Sequence, residues 1–133
     1  MNTTSFWNND KIDKNSSSAP LKIMVEQANS LSGVTDDYLL GQVITNNTGN
    51  LINYCFTIIA PYLNQSRLTL FCIEQELDKE FPLNFYSDYS DSNNSCRCDD
   101  IKSFNECLEK IISSDKVTEV INGLIAKSRS LNQ

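Results

Sequence analysis

LINYCFTIIAPYLNQSRLTLFCIE, residues Leu51 to Glu74, decides the fold. It is two apolar runs, rich in β-branched and aromatic residues, joined by a short polar link. In the first run Ile52, Tyr54, Phe56, Ile58 and Ala60 alternate with Leu51, Asn53, Cys55, Thr57 and Ile59. A period of two marks a strand half-buried on one face. The wholly apolar set belongs against a core, and the mixed set faces away. A helix is the competing reading, and the β-branched and aromatic enrichment argues against it. Arg67 to Glu74 repeats the alternation, with Leu68, Leu70 and Cys72 set against Thr69, Phe71 and Ile73. Both sides are apolar, as expected of an inner strand. Pro61 cannot donate to a strand ladder, so the first strand ends near it. The stretch predicts the central hairpin of a sheet.

Upstream, Tyr38 to Thr45 predicts the preceding strand. Asn46-Asn47-Thr48-Gly49-Asn50 links it to the hairpin, because Asn and Gly tolerate positive φ. Ser18-Ala19-Pro20 opens a helix whose stripe is Leu21, Met24, Val25, Ala28 and Leu31, with Gly33 as its stop. Residues 1–18 are polar apart from Phe6 and Trp7 and read as a flexible tail, with Trp7 docked on the domain or, as the alternative, serving as a short binding motif.

Downstream, Glu74 to Glu80 extends the strand or crosses the edge as a loop. Phe81 to Tyr86 predicts a fourth strand, which Pro82 assigns to an edge. Residues 87–100 read as an irregular surface loop. Two helices then close the chain. Ser103 and Glu106 fit a capping box, ahead of a stripe of Phe104, Cys107, Leu108, Ile111 and Ile112. Ser113-Ser114-Asp115 makes a tight corner, and Val117, Val120, Ile121, Leu124 and Ile125 mark the last helix.

The expected fold is therefore α+β in two layers: an N-terminal helix, an antiparallel meander of about four strands, and a C-terminal helical hairpin. Residues 1–18 form the tail and residues 19–130 a single domain. The helices cover the face carrying Ile52, Tyr54, Phe56 and Ile58. The opposite face, with Leu51, Cys55, Thr57 and Ile59, lacks a cover and is a candidate homodimer or partner surface.

Composition narrows the function. The chain has 133 residues, 40% hydrophobic and 21% charged, in keeping with one globular domain. A chain of this size buries roughly two-thirds of its unfolded surface, enough for one core. No apolar run approaches the roughly 20 residues of a membrane span. No apolar leader is visible, and a cytoplasmic location is expected. The net charge is −6. Residues 74–100 carry eight acids and two bases, while the rest balance at nine of each. Such an acidic region repels nucleic-acid backbones and attracts a basic protein. The bland alternative is a solvated loop that keeps the chain soluble.

There is no histidine, which removes the commonest general base and metal ligand. The glycines at 33, 41, 49 and 123 lie too far apart for a phosphate loop. Catalytic carboxylates usually need a cleft to shift their pKa, and these acids lie in exposed-looking sequence. No enzyme activity and no cofactor is expected. Asp88, Asp91 and Asn93 lack the glycine and glutamate of a calcium loop.

Five cysteines remain: Cys55, Cys72, Cys96, Cys98 and Cys107. An odd count sits poorly with a disulfide framework. Cys96, Cys98 and Cys107 offer three thiolates, where a structural zinc site takes four ligands, usually at Cys-x2–4-Cys spacing. No metal is assigned. The alternative is a small metal-binding or thiol-redox protein built on the Cys96/Cys98 pair, with Arg97 lowering a thiol pKa.

In size, charge and element order the chain is loosely similar to small acidic binding proteins such as bacterial immunity proteins and type III secretion chaperones. It departs from the secretion chaperones in placing both late helices after all the strands, and no residues are carried across. The expected function is a non-enzymatic protein-binding module, immunity- or chaperone-like, that holds a partner through Glu76, Asp78, Glu80, Phe85, Tyr86, Asp88 and Tyr89.

Overall fold

The computed structural model describes residues 5–89 and 95–131. Helix α1 (Ala19–Val34) precedes strands β1 (Leu40–Thr48), β2 (Leu51–Ala60), β3 (Ser66–Glu76), β4 (Leu83–Tyr86) and β5 (Ser95–Cys98), with a single 3-10 turn, Pro61–Leu63, between β2 and β3. Helices α2 (Ile101–Ile112) and α3 (Asp115–Leu131) follow. The strands form one antiparallel sheet in chain order. The α+β layout of helix, meander and two helices is as the alternation predicts, with five strands instead of four. Among the described residues no helix is long and apolar enough to cross a membrane.

The hydroxyl of Ser18 caps α1 by accepting from the Leu21 N–H, and Pro20 sits in the first turn, where a missing N–H loses no bond. Gly33 does not end the helix. The Thr35 hydroxyl donates to the Leu31 carbonyl at 2.9 Å and accepts from the Leu39 N–H at 3.1 Å. Asp36 and Asp37 then take the left-handed region, at φ 50° and 65°, which short polar side chains tolerate. These three residues turn the chain into β1, and a glycine is not needed.

Pairing of β1 with β2 runs out to Thr48 opposite Leu51, so Asn46 and Asn47 lie in the strand. The turn shrinks to Gly49 and Asn50, with Gly49 at φ 59°. Between β2 and β3 the register shifts at Phe56/Thr57, where Phe56 faces Phe71 and Thr57 faces Thr69. Leu70 is the extra residue of this bulge. Leu70 and Phe71, adjacent in sequence, are accordingly both buried.

All three helices lie on the face that carries Phe56 and Ile58. Ala28 of α1 packs on Gly41 of β1, whose missing side chain admits the helix backbone. Four rings run across the sheet into α2: Phe56–Phe71 at 5.3 Å, Phe71–Phe85 at 5.6 Å and Phe85–Phe104 at 5.3 Å between centroids. Met24, Leu31, Leu83, Leu108 and Val117 complete this core.

Two expectations fail at the far edge of the sheet. Residues 95–98 of the predicted loop form β5, paired along the whole of β4. Residues 90–94 of that loop, including Asp91 and Asn93, lie outside the described residues. Strand β4 is thus an inner strand, and Pro82 precedes it at a cis Phe81–Pro82 bond, where it blocks no ladder. Trp7 does not dock either: it is 78% exposed.

Candidate functional site

The sheet face opposite the helices is uncovered by any described element. On it β1 contributes Leu40 and Ile44, β2 contributes Leu51, Cys55 and Ile59, β3 contributes Cys72, and β4 contributes Tyr86. Ile44, Leu51 and Ile59 are half-buried, and Tyr86 is 42% exposed. Glu74 and Glu76 share this face. Burial raises the Tyr86 phenol above its ordinary pKa, aided by the neighbouring Glu74 carboxylate. Cys55 and Cys72 face each other in register, with Cα atoms 4.0 Å apart, and are joined as a disulfide. The odd cysteine count argues against bridges, and it carries no information about strand register, which is what brings this pair together.

The seven acidic and aromatic residues picked from sequence do not form one surface. Glu76, Asp78 and Glu80 gather where β3 ends, beside the β1–β2 turn; there the Leu77 N–H donates to the Asn50 carbonyl at 2.9 Å. Glu76 pairs with Lys79 at 3.1 Å, both side chains about half exposed, so the pair adds little stability. Glu80 accepts from the Ser18 hydroxyl at 2.8 Å. Asp88 and Tyr89 lie beyond the other end of β4, level with Leu70; there the Ser87 hydroxyl donates to the Leu70 carbonyl at 2.8 Å and accepts from the Tyr89 N–H at 3.1 Å. At about 3.3 Å per residue, this is roughly 20 Å from Glu76 along β3. Phe85 is 1% exposed, inside the ring ladder, and cannot touch a partner. Alternation placed it on a strand face but could not say which face the helices cover.

The cysteines converge instead. Cys96 and Cys98 are two apart on β5 and so point to one side, the side that faces the core. Cys107 comes down from α2, one turn after the buried Phe104. The three sulfurs lie within 4.8 Å of one another. Cys96 and Cys107 are in sulfur contact as a disulfide pair, from Cα atoms 7.2 Å apart. Cys98 is a buried free thiol, and burial pushes it up to about 11, with the Ser103 hydroxyl pulling the other way.

The start of α2 holds the cluster's frame. Asp100 is the N-cap: its carboxylate accepts from the Ser103 N–H at 2.8 Å, and the Ser103 hydroxyl accepts from the Asp100 N–H at 3.3 Å. That reciprocal box is one turn earlier than the Ser103/Glu106 pair read from sequence. Asp99 is held by Arg97 at 2.9 Å. On the helix side, a cleft of about 350 Å³ opens between α1 and α3, lined by Leu31, Val34, Phe56, Leu70, Ile121 and Ile125 among others. Its lining includes no charged residue. No family model, curated protein or solved structure matches this chain.

Proposed function

We propose that the protein is a non-enzymatic binding module that holds a basic protein on its uncovered sheet face. The observation that carries the reading is the placement of all three helices on one side, which leaves Ile44, Leu51, Ile59 and Tyr86 without a cover among the described residues. An apolar patch rimmed by polar groups is the form of a protein interface. Glu74 and Glu76 share the face with Arg67 and Arg97, so the charge there is mixed, and the glutamates are offered to basic groups of a partner at the end where β3 stops. A second copy fits less well, because two chains of net charge −6 repel. The acidic site is narrower than sequence suggests: Asp88 and Tyr89 stand apart from it, and Phe85 is withdrawn. A cytoplasmic location belongs to the same proposal, and a Cys55–Cys72 bridge trapped in protein taken from its native compartment would count against it.

The test compares wild type with Ile44→Lys and with Glu74→Gln/Glu76→Gln in capture from the native host. Helical and strand content is checked by circular dichroism. The expected result is one basic protein that cross-links to residues of this face, is lost with Ile44→Lys, and is weakened both by the glutamine pair and by salt. Retention by the folded Ile44→Lys variant, or a homodimer in sedimentation that this substitution disperses, would overturn the reading.

A further inference from the structure

The three converging thiols play no part in that sheet face. We propose that Cys96, Cys98 and Cys107 form a site for a thiophilic divalent cation of the Zn2+ class, with a fourth position left to an outside ligand.

Three features carry the inference. The first is convergence. A CxC pair on one side of an edge strand and a third cysteine on the helix that packs over it bring three sulfurs within 4.8 Å. Tetrahedral thiolate sites, with metal–sulfur bonds of about 2.3 Å, separate their sulfurs by about 3.8 Å. Side-chain rotation moves a sulfur by more than the difference. The second is the frame. The Cα atoms of Cys96 and Cys107 are 7.2 Å apart, while disulfides usually span about 4.4–6.8 Å. The backbone thus holds these two residues wider than a bridge needs, and a third sulfur stands beside them. The third is the surroundings. The Ser103 hydroxyl lies near the Cys98 thiol, where an outer contact can orient a metal ligand. Cys98 lies two residues before Asp100, the N-cap of α2, at the positive end of that helix's dipole.

The nearby carboxylates do not complete a four-ligand set. Asp99 is engaged by Arg97 and Asp100 by the Ser103 N–H. Three protein ligands with one position open to water or another donor is the arrangement of exchangeable and catalytic zinc, whereas structural sites are closed. Binding is an exchange of ions: one divalent cation enters, and up to three thiol protons leave as the three metal–sulfur bonds form. The step starts from the dithiol form of Cys96 and Cys107, reached when an added thiol reductant supplies two electrons and two protons to the bond between them, and from that form metal binding itself moves no electrons.

The experiment uses the full chain, reduced, titrated with Zn2+ alone against a chelating indicator, with Mg2+ as control. Differential alkylation read by mass spectrometry then shows which thiols the metal shields. The expected result is one equivalent per chain, with Cys96, Cys98 and Cys107 shielded and Cys55 and Cys72 still reactive. Cys107→Ser should weaken binding by at least the roughly 10- to 100-fold that loss of a supporting residue costs. The Cys55→Ser/Cys72→Ser double variant should bind as wild type. Cys98 is fully buried, so a serine there can unfold the chain; the shielding pattern of the wild type then decides. The proposal falls if Zn2+ binding survives Cys107→Ser unchanged, if it is lost with Cys55 and Cys72, if no equivalent binds, or if a Cys96–Cys107 bond persists in reduced protein despite Zn2+.

Discussion

The hydroxyl of Thr57 sits at the bulge, 2% exposed, and makes no hydrogen bond among the described residues. An unpaired buried hydroxyl costs about 1–3 kcal/mol. Thr57→Val keeps the shape and removes the orphan, so chemical denaturation should show a gain of roughly 1 kcal/mol. At Asp100 the sign is the opposite. Backbone and side-chain hydrogen bonds from Ser103 hold its carboxyl below the ordinary value. The stabilisation is present above the carboxyl's unfolded pKa and is lost as pH falls through the lower folded one. Asp100→Ala should therefore lower stability at neutral pH and flatten the acid limb of a stability-against-pH curve; an unchanged acid limb would show that the cap contributes nothing. The sequence supports a cap near Ser103 but not which residue plays it. Asp and Ser are equally good N-caps, and the choice depends on where β5 stops.

Among the elements, α2 is the one that closes the interior. Phe104 is fully buried and ends the ring ladder that begins at Phe56. Phe104→Ala should cost about 3–5 kcal/mol by denaturant melt, the range for emptying an aromatic core site. Because Cys107 is one turn away on the same helix, the variant should also loosen the thiol cluster, seen as faster alkylation of Cys98. Gly41→Ala acts between α1 and β1. A methyl group there would stand 2.8 Å from the Ala28 Cα, so helix and strand must part, and a loss of roughly 1–3 kcal/mol is expected. The long elements were legible because their periodicity is strong, in β2 and β3 at two residues and in α1 to α3 at the helical spacing. Strand β5 was not. Ser95-Cys96-Arg97-Cys98 alternates over only four residues, too short a run to stand out from the surrounding loop, and it is a strand because β4 offers it an edge. Pro82 misled for a related reason: it lies one residue outside the strand it was taken to weaken.

Across the whole molecule, charge and thiols obey different rules. The acids between 74 and 100 are clustered in sequence but divided by the fold, since β3 and β4 run antiparallel and send Glu76 and Asp88 to opposite ends of the sheet. The cysteines are scattered in sequence and brought together by pairing. Five thiols could be counted from the sequence; that they sort into a sheet pair and a three-sulfur cluster depends on a register and a helix packing that no local signal encodes. One prediction belongs at this scale. Raising pH above 10 should destabilise the fold, because Tyr54 and Tyr86 hold their protons more tightly folded than unfolded, mainly through burial. Phenolate absorption should rise later in native than in denatured protein.

The order of strands in the sheet is the order of strands in the chain. During synthesis each hairpin can close as it emerges, with no partner still to be made. The helices that roof the interior come last, so a ribosome that stopped before Ile101 would release a finished sheet whose Phe56, Phe71 and Phe85 have only α1 above them. Such a fragment would present an open row of aromatic rings, and α2 and α3 are the elements that take it out of water.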